Sequence, residues 1–203
     1  MGLLSYDLNA ISTRIGGRPV DLDSLSAERQ AAVAVILRAS EAPEADAEVL
    51  LVRRAERAGD PWSGHMALPG GRREPDDSSL FVTAVRETRE EVGFDLGEHG
   101  VLLGRLPDVP AVARGRRVGM VVVPFVFALR SERPEVVLRL NEELVEAMWT
   151  PVGPLARGEM NGTTAYLHEG QPFDMPCYRV GDRVVWGLTH RMLGHLFEAL
   201  HQA

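Results

Sequence analysis

The chain has 203 residues, of which 45% are hydrophobic, and a formal net charge of −7 at pH 7. This length is typical of one domain with a sizeable core, and the acidic balance argues against a general nucleic-acid binder, which needs a basic surface. The single cysteine, Cys177, excludes an internal disulfide, and no apolar run reaches the roughly 18 residues of a membrane span.

The first half of the chain predicts two strands, a long loop and a helix. Residues 30–38 and 48–54 have the composition of strands, and the acidic loop between them predicts a loose hairpin. Residues 55–65 are rich in Gly and Pro and predict a loop, which leads into a short extended segment, MALPGG. A helix is expected from Ser78 to Val92, where Gly93 stops it.

The second half predicts further strands and a closing helix. Strands are expected at 100–107, at 117–129 and, shorter, at 134–138; Pro124 indicates a bend or an edge in the second of these. Residues 141–152 combine a helical turn with an extended stretch, and 163–168 and 178–186 predict strands, the latter with a turn at Gly181 and Asp182. A helix closes the chain at 188–202. This order favours an α/β fold, with a sandwich around a mixed sheet, over a regular Rossmann fold.

The predicted helix at 78–92 carries three carboxylates on one face. At about 100° per residue, Glu87, Glu90 and Glu91 lie together, apart from an apolar stripe that includes Ala84 and Val92. An acidic helix face of this kind is usually only solvated. Here, however, the preceding Leu-Pro-Gly-Gly turn lets a backbone carbonyl come close to the carboxylates. Carboxylate and carbonyl oxygens are the ligands that Mg²⁺ and Mn²⁺ prefer.

The stretch from residue 70 to 94 resembles the signature of the Nudix hydrolases. The positions that match in order are Gly71, Arg86-Glu87, Glu90-Glu91, Gly93 and Phe94. Two positions depart from the pattern. Asp77 replaces the first glutamate, with eight residues instead of seven before Arg86, and Thr88 replaces a large apolar residue. Asp77 is therefore either a helix N-cap or a residue that helps to orient the metal-binding carboxylates.

The resemblance implies a sandwich fold and the hydrolysis of a diphosphate that links a nucleoside to another group. It implies Mg²⁺ as the cofactor, with Mn²⁺ as an alternative, and Arg86 as the residue that holds the carboxylates. The implied metal ligands are the Gly70 carbonyl and the carboxylates of Glu87, Glu90 and Glu91. The whole chain, 1–203, is expected to form one domain of this family, with residues 1–29 as an N-terminal extension.

The general base is left open between a glutamate of the signature and an acid from a later loop. In the later loop, Glu142 and Glu143 stand at a suitable place, and Glu143 is the residue assigned here. The alternative for both is an ordinary role in the first turn of a helix that begins at Asn141.

Further segments are similar to the coenzyme A pyrophosphatase subgroup of the family. They are LLVRRA at 50–55, GHMALPGG at 64–71 and VVWGLTHRML at 184–193. This subgroup departs from the chain at Val52, where Thr is usual, at Leu68, where Phe is usual, and at Gly59, where Arg is expected. The similarity implies cleavage of coenzyme A, or a derivative, to adenosine 3′,5′-bisphosphate and phosphopantetheine.

Four arginines are candidates for binding the substrate phosphates, because arginine pairs well with phosphate oxygens. They are Arg53, Arg54, Arg57 and Arg72, and the alternative for each is a surface or structural role. ADP-ribose, NADH and dinucleoside polyphosphates are the alternative substrates, and a non-catalytic ligand-binding module is the alternative to an enzyme. The N-terminus lacks the pattern of a signal peptide, so a cytoplasmic location is expected, with a small nucleotide as partner and no membrane or nucleic acid. Many members of the family form homodimers, which is therefore an expectation here.

Overall fold

The computed structural model describes residues 4–16, 20–23, 29–42, 45–113, 115–130, 137–168 and 171–202. The helices are α1 (Leu8–Ile15), α2 (Leu80–Val92), α3 (Leu96–His99), α4 (Val152–Ala156) and α5 (Gly187–His201). The strands are β1 (Arg29–Arg38), β2 (Glu48–Arg54), β3 (Met66–Ala67), β4 (Gly70–Arg72), β5 (Gly100–Arg105), β6 (Val109–Ala113), β7 (Arg116–Leu129), β8 (Leu144–Pro151), β9 (Asn161–His168), β10 (Gln171–Val180) and β11 (Arg183–Trp186). Within these ranges no helix has the length and apolar character needed to cross a membrane.

Eight strands form one mixed sheet, as the order of predicted elements indicated. Its central path is β3-β2-β1-β7-β5, with β4 paired to β1, β6 paired to β7 and β8 paired to β2. Strands β1 and β7 are parallel, and the other pairs are antiparallel. The expected hairpin between β1 and β2 is present, but its register covers only Leu37 with Val49 and Arg38 with Glu48.

Two helices cover the two faces of this sheet, and strand alternation explains how. Ala32, Ala34 and Ile36 of β1 lie in a core with residues of α2. The alternate residues, among them Val33 and Val35, lie in a second core that contains the apolar face of α5. Because successive side chains of a strand point to opposite faces, the continuous apolar run of β1 supplies both cores. The fold is therefore the α/β/α sandwich that was predicted.

Part of the N-terminal extension also packs into the fold. Ile11 of α1 is fully buried in the core that contains α5. The Tyr6 hydroxyl lies 2.9 Å from Nε2 of His201, at the end of α5. Helix α1 and Tyr6 thus pack against α5.

A separate three-stranded antiparallel sheet, in the order β11-β10-β9, precedes α5. The turn between β10 and β11 is the one predicted at Gly181, whose φ of 59° is left-handed. The sequence predicted most of β9, the end of β10 and β11, but neither residues 171–177 of β10 nor the separation of these strands from the main sheet. Strand β11 leads directly into α5 and places Trp186 at the junction.

One prediction about strands needs correction, and another falls largely outside the described residues. Pro124 lies within the interior strand β7, not at an edge. Its carbonyl accepts a hydrogen bond from the Leu106 N–H at 2.9 Å, at the point where the partner of β7 changes from β5 to β6. The missing N–H of proline therefore falls in the gap between the two partners. The strand expected at 134–138 falls mostly on residues 131–136, outside the described residues, and residues 137–138 are not a strand.

Candidate active site

Helix α2 is fixed at both ends by local hydrogen bonds. The Ser79 hydroxyl accepts the Val82 N–H at 3.2 Å and is the N-cap. At the other end, Gly93 has a left-handed φ of 82° and donates its N–H to the Arg89 carbonyl. The helix begins two residues later than predicted and ends where Gly93 was expected to stop it.

Asp77 does not cap this helix but holds Arg86. Its two carboxylate oxygens accept hydrogen bonds from Nε and Nη2 of Arg86, at 3.0 and 2.9 Å, and it also accepts from the Thr83 hydroxyl and the Glu74 N–H. These donors, Arg86 first, lower the pKa of Asp77 to about 2. Of the two roles left open for Asp77, the structure therefore excludes the cap and shows a contact with the arginine of the signature.

Arg86 joins the acidic face to the glycine turn. Its Nη1 lies 3.2 Å from Glu87 Oε1 and 3.0 Å from Glu90 Oε2, and its Nη2 donates to the Arg72 carbonyl at 2.9 Å. The bonds to Asp77 and the neighbouring carboxylates raise the pKa of Arg86. One guanidinium thus fixes two of the three carboxylates and strand β4.

The glycines of the turn allow β4 to contact the carboxylates. Gly70 has a φ of 149°, and its N–H donates to Glu91 Oε2 at 2.9 Å. A Cβ at Gly71 would lie 2.4 Å from Glu87 Oε1, so any side chain there would displace Glu87. Gly71 is therefore required by its close approach to the helix, and Gly70 by its close approach to Ala32 and Val33 of β1.

The three carboxylates differ in burial. Glu91 is only 3% exposed, and burial raises its pKa to about 7. Burial also raises the pKa of Glu87, against the opposing effect of Arg86. The Glu90 side chain is half exposed. Thr88, which departs from the signature, is buried and donates its hydroxyl to the Ala84 carbonyl at 2.8 Å, so its polar group is satisfied within the helix.

A cavity of about 550 Å³ opens beside Glu87, Glu91 and Gly70. Its acidic end contains these residues. Apolar and aromatic residues from distant parts of the chain form its other walls: Val33, Trp62, Met120, Trp186, Leu188 and Met192. The cavity therefore combines a small group of carboxylates with a large apolar surface, which is typical of a ligand site.

Two charged pairs lie around this cavity. Glu143 lines it and forms an ion pair with Arg57, Oε1 to Nη1, at 2.8 Å, in which both side chains are more than a third exposed. The Glu143 backbone is held on both sides, by the Asn141 side chain and by the Ala55 N–H. Glu143 therefore has a fixed backbone and an accessible carboxylate.

The second charged pair, Arg54 with Asp60, holds the Arg54 side chain beside the cavity. Arg54 lines the cavity and bonds to Asp60 at 2.8 Å, and Asp60 also accepts the Trp62 N–H. Arg53 projects from the opposite face of β2 and is not among the residues that line the cavity. The geometry thus supports a substrate contact for Arg54 and gives no support to the one predicted for Arg53.

The other predicted residues lie at the edges of the site. Arg72 lines the cavity next to Gly71, and Arg57 reaches it through Glu143. Glu90 is held by Arg86 and is not among the lining residues, so its role as a metal ligand stays a prediction. Glu142 is 91% exposed and lies 3.9 Å from Arg57.

Several residues of the site were not predicted as functional. His65 packs against Trp186 with ring centroids 4.8 Å apart and ring planes tilted by 54°, and burial lowers the pKa of His65. The Thr189 hydroxyl donates to the Met66 carbonyl at 2.9 Å and ties α5 to β3. The sequence singled out the segments 64–71 and 184–193 but not their contact, because the joined residues are more than a hundred positions apart.

The carboxylate end has the chemistry of a site for a hard divalent cation. Within the described ranges, no three His, Cys, Asp or Glu side chains are already gathered as a metal-binding group. The residues nevertheless fit such an ion, because Glu87 and Glu91 supply carboxylate oxygens and the two glycines bring a peptide backbone against them. Glu87, Glu91 and the Gly70 carbonyl are the groups that would hold it.

The sequence is similar to one family model and to several known proteins. The chain matches the family model described as NUDIX domain over residues 28–168. An uncharacterised protein of Schizosaccharomyces pombe is 44% identical over 110 residues, which are 53% of this chain and 32% of that protein. A mitochondrial coenzyme A diphosphatase of Homo sapiens is 30% identical over 142 residues, which are 70% of this chain and 58% of that protein. The chain thus spans about a third of the length of the first relative and less than two thirds of the length of the second.

Solved structures with low sequence identity share the fold. A MutT/nudix family protein from Enterococcus faecalis has a TM-score of 0.55 at 19% identity, over 90% of this chain and 64% of that chain. A binary complex of a C. elegans Ap4A hydrolase has a TM-score of 0.50 at 20% identity, over 64% of this chain and 84% of that chain.

Proposed function

The chain belongs to the NUDIX domain family, and we propose that it is a metal-dependent pyrophosphatase that cleaves coenzyme A or a derivative. The observation that carries this proposal is the meeting of Glu87, Glu91 and the Gly70–Gly71 turn at one end of a mostly apolar cavity. The reaction would release adenosine 3′,5′-bisphosphate and phosphopantetheine.

The carboxylate end would carry out the chemistry. Mg²⁺ or Mn²⁺, when bound there, would neutralise charge on the diphosphate and lower the pKa of a bound water. Arg86 keeps Glu87 in place, and Asp77 keeps Arg86 in place, through the contacts described above. These two residues position the ligands and need not touch the substrate.

Glu143 is the proposed general base. It lines the same cavity as Glu87 and Glu91, its carboxylate is accessible, and its backbone is fixed. To accept a proton from the attacking water, the carboxylate needs to turn from Arg57 into the cavity. The exposed ion pair allows this, because exposed pairs contribute only about 0.2–1 kcal/mol.

The apolar walls support coenzyme A among the diphosphates considered. Its pantetheine arm is long and uncharged, so it suits the surface formed by Trp186, Leu188 and Met192. Arg54 and Arg72 line the cavity and can bind phosphate oxygens. The name of the human relative agrees with this choice.

A panel of substrates tests the proposal. Coenzyme A, ADP-ribose, NADH and diadenosine polyphosphates are assayed with Mg²⁺, with Mn²⁺ and with EDTA, and the products are identified by mass spectrometry. We expect the highest kcat/KM with coenzyme A and no turnover with EDTA. A preference for another diphosphate would contradict the substrate, and no turnover of any of them would favour the ligand-binding module. The cytoplasmic location and the homodimer stay predictions.

A further inference from the structure

A second depression, of about 560 Å³, lies beside the first cavity and shares Arg72 with it. Arg29, Gln30 and Arg73 also line it. Two carboxylate residues, Glu74 and Asp77, line it as well, so its three arginines leave a net positive charge in a chain whose net charge is −7. Among its lining residues, Arg29 has no role in the proposed function.

The strand register places Arg29 and Arg72 together on the face that carries the cavity. Arg72 of β4 lies opposite Ala31 of β1, and Ala31 lines the first cavity. Arg29 precedes Ala31 by two residues in the same strand, so its side chain leaves the sheet on the same face. Arg29 and Arg72 are therefore diagonal neighbours across the strand pair.

These two arginines differ from Arg73 in their charge partners. Arg73 is engaged by the Asp23 carboxylate at 2.6 Å and by the Asp77 carbonyl at 3.1 Å. Asp77 is itself occupied by Arg86. In the part of the chain that the structure describes, no carboxylate lies within ion-pair distance of Arg29 or Arg72. Their charges are therefore available to an anion from outside the chain.

We infer that Arg29 and Arg72 bind a phosphate monoester of the substrate, separate from the diphosphate that is cleaved. In coenzyme A this group is the 3′-phosphate of the ribose. Gly71 joins the two subsites, because it contacts Glu87 on one side and precedes Arg72 on the other. The inference rests on the proposed function and adds to it a means of selecting 3′-phosphorylated nucleotides.

Nucleotide binding tests this inference independently of turnover. Calorimetric titrations with Mg²⁺ compare adenosine 3′,5′-bisphosphate with AMP, which lacks only the 3′-phosphate. The wild type should bind the bisphosphate about tenfold or more tightly than AMP, because the 3′-phosphate adds charge-assisted hydrogen bonds to arginine. Arg29→Gln should remove that preference and leave AMP binding unchanged. Arg191→Gln is the matched control, because Arg191 is exposed on α5 and lines neither depression.

The outcomes separate this inference from the proposed function. Equal binding of the two nucleotides by the wild type would overturn it, as would an Arg29→Gln variant that keeps the preference or loses both ligands equally. Arg72→Gln is a second variant, which retains the backbone carbonyl that Arg86 binds, and it should also reduce the preference. In turnover assays, Arg29→Gln should reduce kcat/KM for coenzyme A but not for dephospho-coenzyme A. If neither is hydrolysed, the proposed function fails, while the binding comparison still decides the subsite.

Discussion

The two ends of the candidate site are built differently. At the helix end, Asp77, Arg86, Glu91 and Gly70 are largely buried and linked by several short hydrogen bonds. At the mouth, Arg57 and Glu143 form one exposed ion pair between two loops. A buried, fully bonded network holds one geometry, whereas an exposed pair is easily exchanged. The helix end is therefore suited to fixed metal ligands, and the mouth to groups that move when substrate binds.

The largest effect is expected from Glu91→Gln at the helix end. The amide keeps an acceptor for the Gly70 N–H but loses the negative charge. We expect a loss of about 1,000-fold in Mg²⁺-dependent kcat, because metal stabilisation of charge is worth several kcal/mol, with the melting temperature little changed. Glu198→Gln, an exposed residue of α5, is the control. Retained activity in Glu91→Gln would break the contrast between the two ends.

At the mouth, Glu143→Gln tests the assignment of the general base. The variant should lose about 100-fold in kcat, since a general base typically contributes at least that much, while KM changes little. Glu142→Gln is the matched comparison, because Glu142 is its neighbour and is 91% exposed. Equal losses in the two variants would remove the reason to prefer Glu143.

Asp77→Asn should reduce both stability and activity. Removing one partner of a buried pair costs about 3 kcal/mol, and misplaced outer residues typically cost about tenfold in metal affinity or activity. The pKa of Asp77 is lowered to about 2, so its contribution is complete above the ordinary value of 3.8 and is lost only as the pH falls through about 2. Denaturant unfolding should thus show the same difference from wild type at pH 7 and pH 5. Asp76→Asn, at an exposed position, is the control, and a difference that changes between those pH values would contradict the assignment.

The smallest effect is expected from Ser79→Ala. Loss of the N-cap should cost about 1 kcal/mol of unfolding free energy, and kcat should stay unchanged because the Ser79 hydroxyl bonds to the Val82 N–H and not to the carboxylates of the site. Urea unfolding and steady-state assays would measure the two quantities. A loss of activity without a loss of stability would show that the helix start is part of the site.

The sequence predicted most of what depends on local pattern. The spacing of about 100° per residue separated the carboxylates of α2 from the apolar stripe, and Gly93 marked the end of the helix. The sequence could not decide whether Asp77 caps the helix or helps to orient the carboxylates. The extra residue before Arg86 leaves the start of the helix uncertain, so either Asp77 or a serine after it can be the cap. The structure resolves this, since Ser79 caps the helix and frees Asp77 to face Arg86.

The remaining differences come from contacts between distant segments. Arg53 and Arg54 are adjacent residues of the same type, so the sequence alone does not distinguish their roles. The face of β2 on which each side chain lies does distinguish them. The apolar walls of the cavity depend on β11 and α5 returning over β1 and β7, which no local periodicity encodes. Pro124 suggested an edge, but a change of partner strands accommodates it inside the sheet.

Binding of Mn²⁺ to wild type and Glu91→Gln, followed by electron paramagnetic resonance, tests the central claim most directly. The claim is that the acidic face of α2 and the Gly70–Gly71 turn form a metal centre. The account predicts saturable Mn²⁺ binding to the wild type, and binding weakened by at least about tenfold in the variant. Equal binding by both proteins, or none by the wild type, would contradict it.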